Sequence, residues 1–353
     1  MDLDLLANQI KQWGATLGFD QIGVSDIDLT QAESHLQQWL NEGLHGDLDY
    51  MHKHGTRRSR PQELVPGTLR IISARMHYFP QHATDAWETL DDHSRAYIAR
   101  YALGRDYHKT LRKRLGKLAQ QIELAIGPMG YRVFVDSAPV LERALAEKAG
   151  LGWIGKHTNL IDKDQGSWFF LGEIYVDIAL PLDTPARNHC GTCQRCIDIC
   201  PTQAIIAPYH LDARRCIAYL TIENKGAIPI EFRKAIGNRI FGCDDCQLIC
   251  PWNRHATPSR EADFAPRHGL DHAHLIALFL WTETEFLERT GGSPIRRTGY
   301  DGWLRNIAVA LGNAPSHPEV ITALKTKLTA CSPLVAEHIV WALDCHTNQQ
   351  QAV

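Results

Sequence analysis

Eight of the ten cysteines in this chain follow a spacing that is typical of iron–sulfur proteins. Residues 190–201 read C-x2-C-x2-C-x3-C-P, the bacterial ferredoxin spacing for a 4Fe-4S cluster. Residues 216–251 end in the same way, and their first cysteine lies further upstream. Thiolates two residues apart on a tight loop can reach different irons of one cubane. The cysteine before the proline points away from that cubane.

In two-cluster ferredoxins this last cysteine ligates the other cluster, so the pattern predicts two 4Fe-4S clusters with crossed ligation. The predicted ligands of the first cluster are Cys190, Cys193, Cys196 and Cys250. The predicted ligands of the second cluster are Cys200, Cys216, Cys243 and Cys246.

Zinc and disulfides are the alternatives for so many cysteines. Zinc sites favour paired C-x-x-C knuckles with four ligands, which a triple run with a doubled C-x3-C-P fits less well. Disulfides require an oxidising compartment, and the first residues show neither a basic segment nor an apolar core of signal-peptide length. We therefore expect a cytoplasmic protein with iron–sulfur chemistry.

Length and charge limit the class of protein further. The 353 residues suffice for two or three domains, and 44% hydrophobic content is ordinary for a globular protein. No apolar run is long enough to span a membrane, so we expect no membrane association. The net charge of −3 gives no overall bias towards nucleic acid, so any RNA contact must come from local patches.

The periodicity of the chain predicts an α+β (mixed α/β) fold in three parts. Residues 1–180 mix strands with amphipathic helices, among them one with Leu111, Leu115 and Leu118 on a single face. Residues 181–265 form the cluster domain. Residues 266–353 are helical with proline turns, and they resemble HEAT-type repeats. Arg296, Arg297 and Arg305 near the start of these helices are either phosphate contacts or a solvated face.

One acidic residue lies where a strand is predicted to meet a helix. The alternation at residues 131–135 predicts a strand, and Ser137 and Pro139 fit the cap and first turn of a following helix. Asp136 then lies at the junction, where active-site groups often gather in α/β layers. The alternative is that Asp136 serves only as a helix cap.

Several stretches together resemble the epoxyqueuosine reductases, a family of tRNA-modifying enzymes. They are YALGRDYHK at 101–109, VDSAPVLER at 135–143, GWIGKHTNLI at 152–161, YLTIENKG at 219–226, DCQLICPWN at 245–253, and the doubled cluster motif. The resemblance covers nearly the whole chain, and it implies a fold for each part. It implies a flavoreductase-like cobalamin-binding domain, a ferredoxin-like two-cluster domain, and a HEAT-like α-helical tRNA-binding region.

The resemblance also implies the reaction. The enzyme would reduce epoxyqueuosine to queuosine at the wobble position of the tRNAs for Asp, Asn, His and Tyr, as the final step of queuosine biosynthesis. The clusters would reduce base-off cobalamin to cob(I)alamin, which would open the epoxide while Asp136 donates a proton. A proton donor working near pH 7 requires the pKa of Asp136 to be raised by burial. The partners would be a tRNA anticodon stem-loop and an external flavodoxin- or ferredoxin-type electron donor, and a monomer would suffice.

Further site residues follow from the resemblance. The implied cobalamin contacts are Arg58, Asp136, Lys156, His157, Asn159 and Ser167. The implied substrate pocket comprises Tyr97, Arg100, Ala138, Pro139, Val140 and Leu141. His157 could equally be a structural histidine.

Three other functions remain open from the residues. A corrinoid reductive dehalogenase would share cobalamin and two clusters, but such enzymes usually carry an export signal. A ferredoxin-type electron carrier would need neither Asp136 in a pocket nor the long N-terminal domain. An RNA-binding module with structural clusters is the third, and cobalamin binding separates these last two from the enzymes.

Overall fold

The structure, a computed structural model, describes residues 2–351. Its first part contains helices and strands. The helices are α1 (Leu3–Thr16), α2 (Thr30–Asn41), α3 (Pro61–Leu64), α4 (Ala86–Asp91), α5 (Tyr107–Ile126) and α6 (Glu142–Lys148). The strands are β1 (Gln21–Ser25), β2 (Arg70–His77), β3 (Tyr97–Ile98), β4 (Tyr131–Phe134), β5 (Trp153–Ile154), β6 (Leu160–Ile161) and β7 (Phe169–Val176). Short 3-10 turns lie at Asp49–Met51, Gly55–Arg58 and Arg100–Ala102.

The second half is built from shorter elements and then from helices. Its cysteine-rich part holds α7 (Arg195–Asp198), β8 (Ile205–Ala207), β9 (His210–Leu211), a π-helix (Tyr219–Glu223), α8 (Ile230–Ile236), β10 (Arg239–Phe241) and α9 (Asp245–Leu248). Its tail holds α10 (Leu275–Phe279), α11 (Glu283–Arg289), α12 (Gly299–Asn313), α13 (Pro318–Leu328) and α14 (Pro333–Gln351). Further 3-10 turns are Ala213–Arg215, Pro251–His255, Ala262–Phe264 and Pro294–Thr298.

A four-stranded antiparallel sheet in the order β1-β2-β7-β4 forms the centre of the first part. Helices α1 and α5 cover one face, and α5 buries Leu111, Leu115 and Leu118 completely against it, which confirms the predicted stripe. Helix α6 covers the other face, where Leu145 packs with Tyr175 of β7. Both faces of the central strands are therefore buried.

The tail and the cysteine-rich part share a hydrophobic core with the segment around β3. Strand β10 pairs in parallel with β3, and Phe241 lies in one cluster with Trp303 and Ile307 of α12. The buried Arg305 donates hydrogen bonds to backbone carbonyls of the π-helix and the turn after it, so it is neither a phosphate contact nor part of a solvated face. The tail thus positions the backbone beside the cysteines.

The predicted fold class is confirmed, because helices and a sheet mix in the first part and the tail is helical. The predicted helix start at Ser137 and Pro139 is wrong. Helix α6 begins at Glu142 without a side-chain cap, and residues 136–141 form a loop in which Asp136 has a φ of 40°. Among the described residues, no helix has the length and apolar character needed to cross a membrane.

Candidate active site

A large cavity lies between the central sheet and the cysteine-rich part. It contains ~1520 Å³ of space outside protein atoms, part of which is open to solvent, so it is a cleft that a ligand can enter. Asp136, His157 and Asn159 line it from the first part of the chain. The cysteines that line it are Cys200, Cys216, Cys243 and Cys246.

Asp136 is held at this cavity by two neighbours from the start of α5. The Tyr107 hydroxyl donates a hydrogen bond of 2.5 Å to Asp136 Oδ2, and His108 Nε2 lies 3.2 Å from the same oxygen. His108 Nδ1 in turn lies 2.7 Å from Asp106 Oδ1, which fixes the ring. The positive φ of Asp136 is a conformation that non-glycine residues rarely adopt and that is frequent at functional sites.

These neighbours decide the charge state of Asp136. Desolvation acts to raise its pKa, but the hydrogen bonds from His108 and Tyr107, with the charge of His108, lower the pKa below its usual range. Desolvation acts to lower the pKa of His108, and the hydrogen bonds to Asp106 and Asp136 outweigh it and raise that pKa to about 9. The expectation that burial raises the pKa of Asp136 is therefore wrong. At neutral pH the pair holds its proton on His108.

A second carboxyl group, that of Glu142, lines the same cavity at the first residue of α6. Burial raises its pKa to about 7, and the negative charge of Asp136 adds to this shift. Glu142 therefore carries its proton part of the time at neutral pH. Sequence reasoning missed Glu142, Tyr107 and His108 as site residues, although all three lie within the stretches that carry the family resemblance.

The cysteines fall into two neighbourhoods. Burial raises the pKa of Cys196 to about 11, and the further contributions come from Cys250, Cys190 and Cys193. Burial also raises the pKa of Cys246 well above its usual range, with contributions from Cys216, Asp244 and Cys200 and a smaller one from Cys196 of the first neighbourhood. In residues 2–351, no three His, Cys, Asp or Glu side chains converge closely enough for a single metal ion. Wider groups of thiols are what a cubane, which ligates through four separate irons, would require.

Of the five predicted cobalamin contacts other than Asp136, three line the cavity, namely His157, Asn159 and Ser167. His157 is 4% exposed, its Nε2 has no hydrogen-bond partner, and burial followed by the charge of Arg143 lowers its pKa to about 4. It thus presents a neutral imidazole to the cavity. The Ser167 hydroxyl instead accepts hydrogen bonds from Gln247 and Asn253.

The structure does not bring Arg58 and Lys156 to the cavity wall. Arg58 donates to the backbone carbonyl of Tyr50 at 2.6 Å. Lys156 donates to the carbonyls of Gly191 and Cys193 at 2.7 and 2.9 Å, so it stabilises the first cysteine loop.

The predicted substrate residues also lie outside the cavity lining. The Tyr97 hydroxyl and the Arg100 amide both donate to Asp244 at 2.7 Å, and the Arg100 guanidinium donates to the carbonyl of Thr84. Val140 is buried in the small core under α6. Ala138 and Leu141 pack against that core, and Pro139 is half-buried beside them.

Two side chains from distant parts of the chain meet near Asp136. The Arg297 guanidinium lies over the Tyr50 ring at 5.9 Å and donates to Glu223 at 2.9 Å. Its charge also contributes to lowering the pKa of Asp136. Both Arg297 and Tyr50 are about half exposed, so an exposed cation and an aromatic ring lie side by side next to the site.

Comparison with known proteins identifies relatives along the whole chain. Residues 58–137 match the family model "Epoxyqueuosine reductase QueG, DUF1730", and residues 189–253 match "4Fe-4S double cluster binding domain". An epoxyqueuosine reductase of Xanthomonas campestris is 64% identical over 96% of this chain and 96% of its own length. One from Escherichia coli K12 is 56% identical over 100% of this chain and 92% of its own.

Solved structures agree with these matches. The crystal structure of an epoxyqueuosine reductase with an epoxyqueuosine-modified tRNA-Tyr stem loop superposes with a TM-score of 0.87 at 27% identity, over 98% of this chain and 91% of that one. An epoxyqueuosine reductase from Bacillus subtilis, with its catalytic loop swung out of the active site, gives the same TM-score at 26% identity over the same shares.

Proposed function

The chain belongs to the epoxyqueuosine reductase family, and we propose that it reduces epoxyqueuosine in tRNA to queuosine. The epoxide oxygen leaves as water and a carbon–carbon double bond remains, so each turnover consumes two electrons and two protons. The electrons come from an external one-electron donor, and the protons must come from the protein or the solvent. The product is queuosine at the wobble position of the tRNAs for Asp, Asn, His and Tyr.

One observation supports this proposal most directly. Asp136, with its partners Tyr107 and His108, lies on the same cavity as the thiols of the second cysteine group. A proton-transfer group and an electron source therefore border one space that a ligand can enter. An electron carrier has no use for such a cavity or for a strained aspartate within it.

The eight cysteines are proposed to hold two 4Fe-4S clusters in the crossed arrangement given above. The loop beside Cys190 and Cys193 is exposed at residues 191–192 and 194–195, whereas Cys243 and Cys246 line the cavity. Electrons would accordingly enter from a flavodoxin- or ferredoxin-type donor at the first cluster and leave from the second.

Base-off cobalamin is the proposed occupant of the cavity. The neutral His157, with its unpartnered Nε2, and Asn159 are suited to contact the amide substituents of a corrin ring, and Ser167 lies nearby. When bound, cobalamin would supply a low-valent cobalt centre that is a strong nucleophile or reductant towards an epoxide carbon. Arg58 and Lys156 would support the site through neighbouring backbone rather than through the cofactor.

The protein would supply protons at the substrate oxygen. Asp136 is ionised at neutral pH and His108 carries the proton, so we propose that Asp136 passes on a proton that it receives from His108. Tyr107 would hold the carboxylate in place through its 2.5 Å hydrogen bond.

The remaining assignments follow from the substrate. We propose that the chain acts as a cytoplasmic monomer, with residues 1–180 binding cobalamin, 181–265 the clusters, and 266–353 contributing to the binding of the anticodon stem-loop. Arg297 supports the last assignment, because it brings an exposed cation from the tail to within electrostatic reach of Asp136.

The decisive experiment incubates the anaerobically reconstituted protein with cobalamin, a chemical reductant and an epoxyqueuosine-containing tRNA stem-loop. Mass spectrometry of the digested RNA should show loss of one oxygen from the modified base. Omitting cobalamin is the matched control and should abolish the change. Clusters that form normally without any conversion of the RNA would refute the proposal.

A further inference from the structure

The stoichiometry of the proposed reaction leaves one proton without a source. Two protons are consumed per epoxide, and the His108–Asp136 pair holds one. Resting on the proposed function, we propose that Glu142 and Glu173 form a pair of protonated carboxyl groups, the reserve, from which Glu142 supplies the second proton through Asp136. Glu142 is the member at the cavity, and Glu173 lies behind it inside the sheet.

The register of the fold brings these two carboxyl groups to the same interface. On α6, Glu142 shares a helix face with Leu145 and Ala146, three and four residues later, and both of these pack on the sheet. On β7, Glu173 lies between Leu171 and Tyr175 on the face that α6 covers.

Glu173 has the properties of a group that carries a proton. Its side chain is completely buried and neither carboxyl oxygen has a hydrogen-bond partner. The residue opposite it on β2 is Ser73, which is also completely buried with an unpartnered hydroxyl, and the residue opposite it on β4 is Phe134. An ionised carboxylate without a partner is very costly in such surroundings, so Glu173 is neutral. Burial accordingly raises its pKa well above the usual range, and Glu142 and Asp136 contribute.

The groups around Glu142 set when it releases its proton. Burial and the charge of Asp136 disfavour its ionised form, whereas Arg143, His108 and Arg58 favour it, and the neutral Glu173 and Tyr107 lie nearby. Its pKa of about 7 is raised, so its proton is present below this pH and lost above it. Glu142 is therefore able both to give and to receive a proton at neutral pH.

The proposed transfers balance. The first proton passes from His108 through Asp136 to the substrate oxygen as a carbon–oxygen bond breaks. The second passes from Glu142 through Asp136 to the same oxygen as the other carbon–oxygen bond breaks and water leaves. Solvent at the cavity re-protonates Glu142 between turnovers, while Glu173, which has no partner to stabilise its charge, keeps its proton. Both electrons come from the external donor through the clusters.

The protonated reserve is testable without turnover. Difference infrared spectroscopy of the reconstituted protein should show a carboxylic-acid carbonyl band that persists through neutral pH and disappears in Glu173→Gln. A second such band should titrate near pH 7 and disappear in Glu142→Gln. If the wild-type protein lacks a persistent band, the reserve does not exist.

Kinetics test proton transfer from Glu142. Turnover by the wild-type enzyme tests the proposed function and must be established first. Glu142→Gln should lower kcat by about 10²-fold, the lower range for a general acid, with KM for the stem-loop unchanged. Glu142→Asp should recover part of the rate, and Glu88→Gln on the exposed face of α4 is the matched control. An active wild-type enzyme with an equally active Glu142→Gln variant would overturn the reserve while leaving the proposed function intact.

Discussion

Replacing Asp136 by Asn removes the acid while keeping the shape of the side chain. In the wild-type protein the Tyr107 hydroxyl donates to the carboxylate at 2.5 Å. The amide oxygen of the variant can still accept this hydrogen bond. The negative charge opposite His108 is lost, so the pair no longer holds or relays a proton. Asp136→Asn is therefore the most direct test of the proposed proton transfer.

The expected magnitude follows from the geometry. A positioned general acid contributes about 10²–10⁴-fold in rate, so kcat should fall by that factor, equivalent to roughly 3–5 kcal/mol of activation free energy. The Asp136 side chain is 43% exposed, so its ion pair is screened by water and the unfolding free energy should change by less than about 1 kcal/mol. Loss of this partner should also lower the pKa of His108 from about 9 towards its ordinary value.

The assay is a single turnover on the epoxyqueuosine stem-loop with cluster and cobalamin content measured on the same sample. Both contents should match the wild-type protein, because no predicted cysteine ligand changes. Nuclear magnetic resonance of His108 should show the downward shift of its titration. A rate for Asp136→Asn within about threefold of the wild type would refute the proton-transfer role and leave Asp136 as a loop residue.

Three further changes test other parts of the site. Cys246→Ser should remove the cluster at the cavity, lowering iron content by about half and abolishing turnover, as iron analysis and the assay would report. Arg297→Gln should raise KM for the stem-loop and weaken its salt dependence while kcat changes little, since its proposed contact is to phosphate. Arg305→Met should lower the unfolding free energy by at least about 3 kcal/mol in urea titration, because several buried carbonyls lose their donor.

The sequence predicts most securely those features that depend on local spacing. The cysteine pattern is one, since the reach of neighbouring thiolates determines it, and the buried stripe of α5 is another. Asp136 was identified as a site residue, but its charge state was not. Its pKa depends on Tyr107 and His108, which lie almost thirty residues away and reach it only through the packing of α5 on the sheet.

Side-chain direction explains why some predicted site residues do not line the cavity. Tyr97 and Tyr107 lie in neighbouring segments of similar composition, yet the pairing of β3 with β10 directs Tyr97 to Asp244, while α5 directs Tyr107 into the cavity. The resemblance implies Lys156 as a cobalamin contact, but its ammonium group donates to two backbone carbonyls of the first cysteine loop. Such choices are made by tertiary contacts that no local pattern contains. Glu173 had a visible signal, because it is the single acidic residue within strand β7.

The cavity keeps the groups that supply electrons apart from the groups that supply protons, and the proposed reaction requires both. The thiols lie on the wall formed by the second half of the chain, and the carboxyl groups of Asp136 and Glu142 lie on the wall formed by the first half. Reduction of an epoxide needs electrons and protons to meet only at the substrate, because a reduced metal centre that gains protons too early would lose its electrons to hydrogen formation. Keeping His108 as the resting proton carrier, behind an ionised Asp136, places a negative charge between the proton store and the cavity. The lowered pKa of Asp136, which contradicts the simple picture of a buried acid, is therefore consistent with a site that releases protons only when oxygen begins to leave.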